Sequence, residues 1–168
     1  MKKLHSLVHL KKITDREKKK GKRIVLANGC FDLIHVGHIR YLKEAKAKGD
    51  VLIVALNSDS SVHNLKGKGR PILDEAERVE IISSFYFVDF VIVFDELNVE
   101  NILRTLQPHV HAKGSDYSKE TVPERETVLS YGGEIAITGG PKVKNTSDIS
   151  RKIGLKPEGD KPKGDGSV

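Results

Sequence analysis

A chain of 168 residues with 38% apolar and 31% charged residues fits one soluble domain. No apolar run in it approaches the roughly 20 residues of a membrane-spanning helix. The net charge of +6 belongs to residues 1–23, which hold ten Lys or Arg against Asp15 and Glu17. The rest sums to −2, so the body lacks the spread basic face of a nucleic-acid binder. The one cysteine, Cys30, excludes an internal disulfide and fits a reducing cytoplasm.

Residues 1–22 are expected to be a basic extension, with a short helix over 9–20 packed on the outside. Residues 23–28 open a series of five β-branched runs, and with aromatics at 5% the core must rest on Val, Ile and Leu. The spacing of Ile39, Leu42 and Ala45 predicts a helix over 37–48, with Gly49 as its C-cap. The run over 51–56, VLIVAL, is continuously apolar, as a strand buried on both faces must be. A helix over 74–84 follows, with Asp74 at its N-cap, then a strand over 90–94. Val99, Ile102, Leu103 and Leu106 share one face of a helix over 98–107 that Pro108 ends. After a strand over 109–113, Thr121-Val122-Pro123-Glu124 reads as a capping box opening a helix that Gly132 and Gly133 close. A fifth strand covers 134–138. Residues 154–168 are Gly, Pro and charge and are expected to be a disordered tail, leaving 23–153 as the domain. Strands alternating with helices predict a Rossmann-like, doubly wound five-stranded parallel sheet in a single α/β domain.

The polar clusters of this pattern fall just past strand ends. Residues 28–38 follow the first strand, Asn57-Ser58-Asp59 the second, 113–117 the fourth and 139–147 the fifth. In an open parallel sheet that edge is where ligands bind. The first cluster, Asn28-Gly29-Cys30-Phe31-Asp32-Leu33-Ile34-His35-Val36-Gly37-His38, carries the most chemistry. Gly29 permits a tight turn, and Gly37 lets a backbone approach a ligand. His35 and His38 bracket a helix start, whose free N–H groups already attract anions. Imidazoles there can donate to phosphate oxygens, and no third ligand stands at metal spacing. Cys30 reads as a small buried hydrophobe rather than a nucleophile. After the first strand there is no G-x-G-x-x-G of the dinucleotide-binding type.

This segment resembles the HxGH signature of the nucleotidyltransferase superfamily that includes cytidylyltransferases. NGCFDLIHVGHIRYLKEAKAKGD, NSD, LKGKGRP, AERVEII, VD, KGSDY and YGG, in that order across residues 5–153, are similar to the heptose 1-phosphate adenylyltransferase family. The resemblance implies an enzyme that moves AMP from ATP, with Mg2+ carried by the nucleotide, to D-glycero-β-D-manno-heptose 1-phosphate. It also implies a homodimer. It assigns catalysis to His35 and His38, with Lys68 and Arg78 in the charge clamp and Lys66 as the alternative lysine on the triphosphate. It places nucleotide contacts at Asn28, Gly29, Cys30, Phe31, Asp32, Gly37, Lys113, Gly114, Asp116, Thr146 and Ser147. Asp32, Asn57 and Asp59 are the implied substrate contacts. Arg78 could instead pair with Glu75 or Glu77, and Asp59 could be a helix N-cap. The family's Gly-Arg-Ser-Thr-Thr-like element is here Val143-Lys144-Asn145-Thr146-Ser147, where Lys144 lacks the guanidinium fork. Alternatives are a glycerol-3-phosphate cytidylyltransferase or an FAD-synthetase-like enzyme. A non-enzymatic alternative is a nucleotide-binding module with an N-terminus that contacts nucleic acid.

Overall fold

The computed structural model describes residues 3–140. Among them, β1 (Ile24–Gly29), β2 (Val51–Asn57), β3 (Phe90–Phe94), β4 (Val110–Gly114) and β5 (Glu134–Thr138) form one parallel sheet. Its order is β3-β2-β1-β4-β5. The helices are α1 (Leu7–Lys19), α2 (Val36–Lys46), α3 (Asp59–Lys66), α4 (Glu75–Ser84), α5 (Glu100–Leu106) and α6 (Arg125–Ser130).

Both faces of the sheet are covered, and the pleat sorts alternate residues between them. Ile24 and Leu26 of β1 pack with Ile53 of β2, Ile92 of β3 and the apolar faces of α1, α5 and α6. Val25 and Ala27 pack on the other side with Val54, Val91 and Ala112, beneath α2 and α4. Ile24 to Ala27 and Leu52 to Leu56 have no solvent exposure, which is why these strands are apolar throughout. This is the doubly wound single domain expected.

The N-terminal residues are not an appendage on the outside. Lys3 O accepts from Val91 N at 2.8 Å and His5 N donates to Val91 O at 3.0 Å, which covers the outer edge of β3. Leu10 of α1 has no exposure and Ile13 only 8%, so the helix is part of the core. Several basic residues of this segment have local partners. Lys18 Nζ donates to the carbonyls of Leu106 and Gln107 at 2.7 Å, closing the carboxyl end of α5. Arg16, Lys20 and Lys22 surround Glu17, and Lys11 pairs with Asp15.

Three local expectations change. The Thr121 capping box does not form: Thr121 Oγ1 accepts from Ser118 N at 2.8 Å, and α6 starts after Glu124 without a side-chain cap. Helix α2 ends at Ala47, and Gly49 serves another purpose, since a Cβ there would stand 2.7 Å from Arg23 O. Helix α3, whose one sequence signal was Asp59 as an alternative N-cap, is capped by Ser58 and buries only Ser61 and Val62. Asp59 therefore sits in the first helical turn rather than at the cap.

Because α1 is core, Leu10→Ala should cost about 2.7–5 kcal/mol in urea unfolding, the range for a fully buried leucine. Val8→Ala on the same helix, at 70% exposure, should stay within about 0.5 kcal/mol. Equal effects from the two would mean α1 is not docked as described.

Candidate active site

β1 is the first strand, and the chain proceeds from it outward to β2 and β3 before crossing back to β4 on its other side. The carboxyl ends of β1 and β4 therefore flank the point where the winding direction reverses, and crevices open there. The ladders show the opening. β1 pairs with β2 as far as Gly29↔Leu56, whereas its pairing with β4 stops at Ala27↔Ala112.

Past β1 the chain turns through Phe31, whose φ of 49° is unusual for a residue with a side chain. That conformation folds the ring back over the strand end. A Cβ on Gly29 would lie 3.1 Å from Phe31 Cε2, so glycine lets the ring pack closely on the strand end. The Phe31 ring is buried, 5.3 Å from the His38 ring and 6.3 Å from that of Tyr41.

The two histidines form the first turn of α2. His35 is the N-cap and its Nδ1 accepts from Gly37 N at 3.1 Å, while His38 Nδ1 accepts from His35 N at 3.4 Å. A ring nitrogen that accepts carries no proton, so each neutral ring bears its hydrogen on Nε2. The ring centroids are 4.0 Å apart. Burial, helped by His35 and the charge of Lys66, pushes His38 down to about 3. His38 is thus a neutral donor across the physiological range.

The charge of Lys66, at the end of α3, is the lysine charge felt at both His38 and Cys30. Lys68 is exposed two residues further on. Burial raises the Cys30 thiol, and Cys30 Sγ lies 3.9 Å from Asn57 Oδ1, so it is no activated nucleophile.

Several expected contacts are directed into the protein instead. Arg78 has no exposure. Its Nη1 donates to the carbonyls of Cys30 and Asn57 at 2.7 Å, its Nε to Leu73 O, and its Nη2 to Asp59 Oδ1. It pairs with neither Glu75 nor Glu77, and it holds strand ends rather than facing a phosphate. Asp59 is correspondingly the counterion of Arg78. Asn57 is buried, its Nδ2 donating to Ser61 Oγ at 3.0 Å. The carboxylate of Asp32 is buried and accepts from Arg70, Ile72 and Leu73. Arg78, Asn57 and Asp32 have their polar atoms engaged because the strand ends and loops needed partners, whereas the Asp59 side chain stays 46% exposed.

The β4 wall holds a polar row that the sequence pattern did not disclose in full. Asn28 Oδ1 receives His111 Nε2 at 3.1 Å and Lys113 Nζ at 3.3 Å. Lys113 is also 3.2 Å from Glu124 Oε2 and 4.9 Å from the centre of the Tyr117 ring. His111 has no exposure, and burial, followed by the Lys113 charge, pushes it down to about 3. Gly114 leaves open space beside it, and Asp116 is exposed in the turn that follows. Tyr41, His111, Glu124 and Arg70 were missed. The available signal was a histidine between two apolar residues of a strand and an arginine beside LKGKG. Thr146 and Ser147, with Lys144 and Asn145, lie outside the described residues. Among the described residues no group of three or more His, Cys, Asp or Glu is placed to hold a metal, and no helix is long and apolar enough to cross a membrane.

The buried histidines make stability depend on pH. Folded values near 3 lie below the ordinary 6.5, so the unfolded chain binds protons that the native one does not. Their neutral-form stabilisation is complete above 6.5 and is lost as pH falls from there towards 3. Between pH 7.5 and 5.5, unfolding free energy should drop by about 1.4 kcal/mol for each of His38 and His111. Urea unfolding at the two pH values measures this, and His111→Gln should remove about half of the change. A flat profile would show that these rings titrate normally.

A family model described as cytidylyltransferase-like matches residues 26–150. The bifunctional protein HldE of Geotalea uraniireducens (strain Rf4) is 48% identical over 151 residues, which is 90% of this chain and 31% of that protein. HldE of Geobacter metallireducens is 46% identical with the same coverage. The chain thus spans about a third of the length of these relatives. The crystal structure of a lipopolysaccharide core biosynthesis protein from Thermoplasma volcanium GSS1 is 33% identical with a TM-score of 0.58, over 70% of this chain and 94% of that one. A pantoate-beta-alanine ligase from Francisella tularensis, at 14% identity and TM-score 0.56 over 86% of this chain and 68% of that one, shares the fold. With the family model running from β1 through nearly the whole domain, the chain belongs to the cytidylyltransferase-like family.

Proposed function

We propose that the chain transfers AMP from ATP to a sugar 1-phosphate, D-glycero-β-D-manno-heptose 1-phosphate, releasing pyrophosphate and forming ADP-heptose. The observation that carries this reading is the histidine pair at the start of α2. Both Nδ1 atoms are occupied by backbone N–H groups, which fixes the orientation of the two rings and turns the Nε2 proton of His38 away from the helix backbone. Such neutral donors beside a helix N-terminus suit the oxygens of an α-phosphate. The heptose acceptor is supported by the motif order across the domain and by the similarity to a lipopolysaccharide core biosynthesis protein.

The chemistry then needs little from the protein beyond placement. A sugar phosphate has a second pKa of about 6 and is already a dianion near neutrality, so no general base is required. One acceptor oxygen attacks the α-phosphorus in line, the bond to the bridging oxygen breaks, and pyrophosphate departs with its electrons. His35 and His38 stabilise charge on the α-phosphate, and Lys66 or Lys68 neutralises the leaving group. The site presents nitrogen donors, and its loop carboxylate, Asp32, is saturated by three donors. That donor set fits Mg2+ arriving on the triphosphate, where it would supply charge neutralisation. The working enzyme is proposed to be a cytoplasmic homodimer. A nucleic-acid role is disfavoured because much of the basic N-terminal charge is engaged locally: Lys11 with Asp15, Arg16, Lys20 and Lys22 with Glu17, and Lys18 in closing α5.

Pyrophosphate release from ATP and from CTP, with heptose 1-phosphate and with glycerol 3-phosphate, tests the substrates. ATP with the heptose should have the highest kcat/KM, and preference for CTP would overturn the adenylyl assignment. His38→Ala and His35→Ala should lower kcat by about 10²–10³, as for loss of a preorganised donor. ATP affinity by calorimetry should stay within about threefold. His35 also caps α2, so His35→Asn, which keeps a capping acceptor, separates the two roles. Turnover within about tenfold of the parent in all three variants would remove the histidines from catalysis.

A further inference from the structure

Residues 67–73 join α3 to α4, carry Lys68 and Arg70, and begin directly after Lys66. Gly67 and Gly69 have φ of 88° and 80°, conformations that other residues resist, so the backbone here bends at glycines. Nothing within 4 Å of a Cβ at Gly69 would restrain it sterically. A loop of this composition would hold no particular shape unless its polar groups were bonded elsewhere.

They are bonded to one side chain. Asp32 Oδ2 receives Arg70 Nη1 at 2.6 Å, while Oδ1 receives Ile72 N at 2.7 Å and Leu73 N at 3.3 Å. The Asp32 side chain has no exposure and that of Arg70 only 11%. A carboxylate this deep needs its charge matched, and these donors come from three residues of the loop, Arg70, Ile72 and Leu73. Leu73 O is held separately by Arg78 Nε at 3.1 Å, and Arg78 also holds Cys30 O. The loop is therefore fastened at its far end to the histidine-bearing turn by two independent clamps, one anionic and one cationic.

We propose that Asp32 and Arg70 are positioning residues: their ion pair fixes the 67–73 loop so that the adjoining lysines, Lys66 and Lys68, meet the β- and γ-phosphates of the nucleotide. Asp32 then acts on substrate through the loop, and Arg70 gains a role that the motif reading did not assign it. The electrostatic influence of Lys66 on His38 and Cys30 agrees with this placement. The inference rests on the nucleotidyl-transfer reading.

The test compares two ligands that differ only in the phosphates the lysines would meet. Calorimetry with ATP and with AMP is run on the parent, Asp32→Asn, Arg70→Gln and the double variant, each with a thermal melt. In Asp32→Asn and Arg70→Gln, ATP affinity should fall about tenfold or more, as for loss of a charge-assisted contact, while AMP affinity stays within about twofold. Arg70→Lys should recover part of the loss. The double variant should bind ATP no worse than the poorer single one, because both remove the same pair. Parallel loss of ATP and AMP would show a merely structural role and overturn the proposal, as would unchanged ATP affinity in Arg70→Gln. Should Asp32→Asn not fold, Arg70→Gln at the less buried partner still decides. A parent that binds ATP no more tightly than AMP would sink the parent reading itself, and pyrophosphate release by the parent distinguishes that failure from failure of the clamp.

Discussion

A guanidinium with no exposure to water sits where β1 and β2 end, and its five donors determine what those ends can do. A buried charge is tolerated only when hydrogen-bonded and paired. Arg78 meets that condition with three backbone carbonyls, Cys30, Asn57 and Leu73, and the carboxylate of Asp59. The three carbonyls come from three different chain segments, so one side chain sets the spacing of the histidine turn, the β2 end and the loop before α4. Helix α4 can deliver it because Asp74 and Glu77 form a reciprocal cap that fixes where the helix begins, one turn earlier. A lysine could not substitute, since a single ammonium lacks the planar fork that reaches several carbonyls at once. Losing the guanidinium would strand these carbonyls, at about 1–3 kcal/mol for a buried acceptor left unsatisfied, while the Asp59 carboxylate, 46% exposed, would turn to water.

The sheet was legible in the sequence because burial on both faces leaves a one-dimensional trace. VLIVAL has no polar residue because every position in it is buried, as are Ile24 to Ala27 of its neighbour β1. Helix α4 was legible for a similar reason, its cap being local. What failed was what depends on competition between local partners. Thr121 had the right spacing for a capping box, but Ser118 N–H was nearer, and no rule of spacing ranks the two. Helix α3 left only a possible cap at Asp59 as its signal because it buries one apolar side chain, Val62, and so shows almost no periodicity. The site divided along the same line. Which residues gather at the strand ends follows from topology, whereas which of their polar atoms stay open depends on hydrogen bonds made across the chain. Asp32, Asn57 and Arg78 therefore arrived at the expected edge with their polar groups already engaged.

Neutrality of His38 is as much a part of the design as its position. Two imidazolium rings at a centroid separation of 4.0 Å, at the positive end of a helix, would repel each other and the helix dipole. Burial under Phe31 removes that conflict by keeping His38 uncharged. The division of labour that results gives net charge to lysines on a loop and geometric hydrogen bonding to rings on a helix. Charge compensation tolerates some freedom of position, whereas a donor to a developing oxyanion does not.

The floor of the crevice shows how the sheet can open without leaving its backbone unsatisfied. Where β1 and β4 part after Ala27 and Ala112, Asn28 N–H and the Ala112 carbonyl have lost their ladder partners. Tyr41 replaces both: its hydroxyl accepts from Asn28 N at 3.2 Å and donates to Ala112 O at 2.8 Å. Burial raises that hydroxyl well above its ordinary value, so it stays a donor at any accessible pH. On the opposite face the Asn28 carboxamide oxygen takes donors from His111 and Lys113, joining the same two strands by side chains. Tyr41 lies three residues after His38 on α2, so the residue that closes the gap also sets the depth at which the helix start meets the strand end. The opening that makes room for a ligand and the placement of the rings that would act on it are thus two consequences of one side chain, and neither can shift without the other.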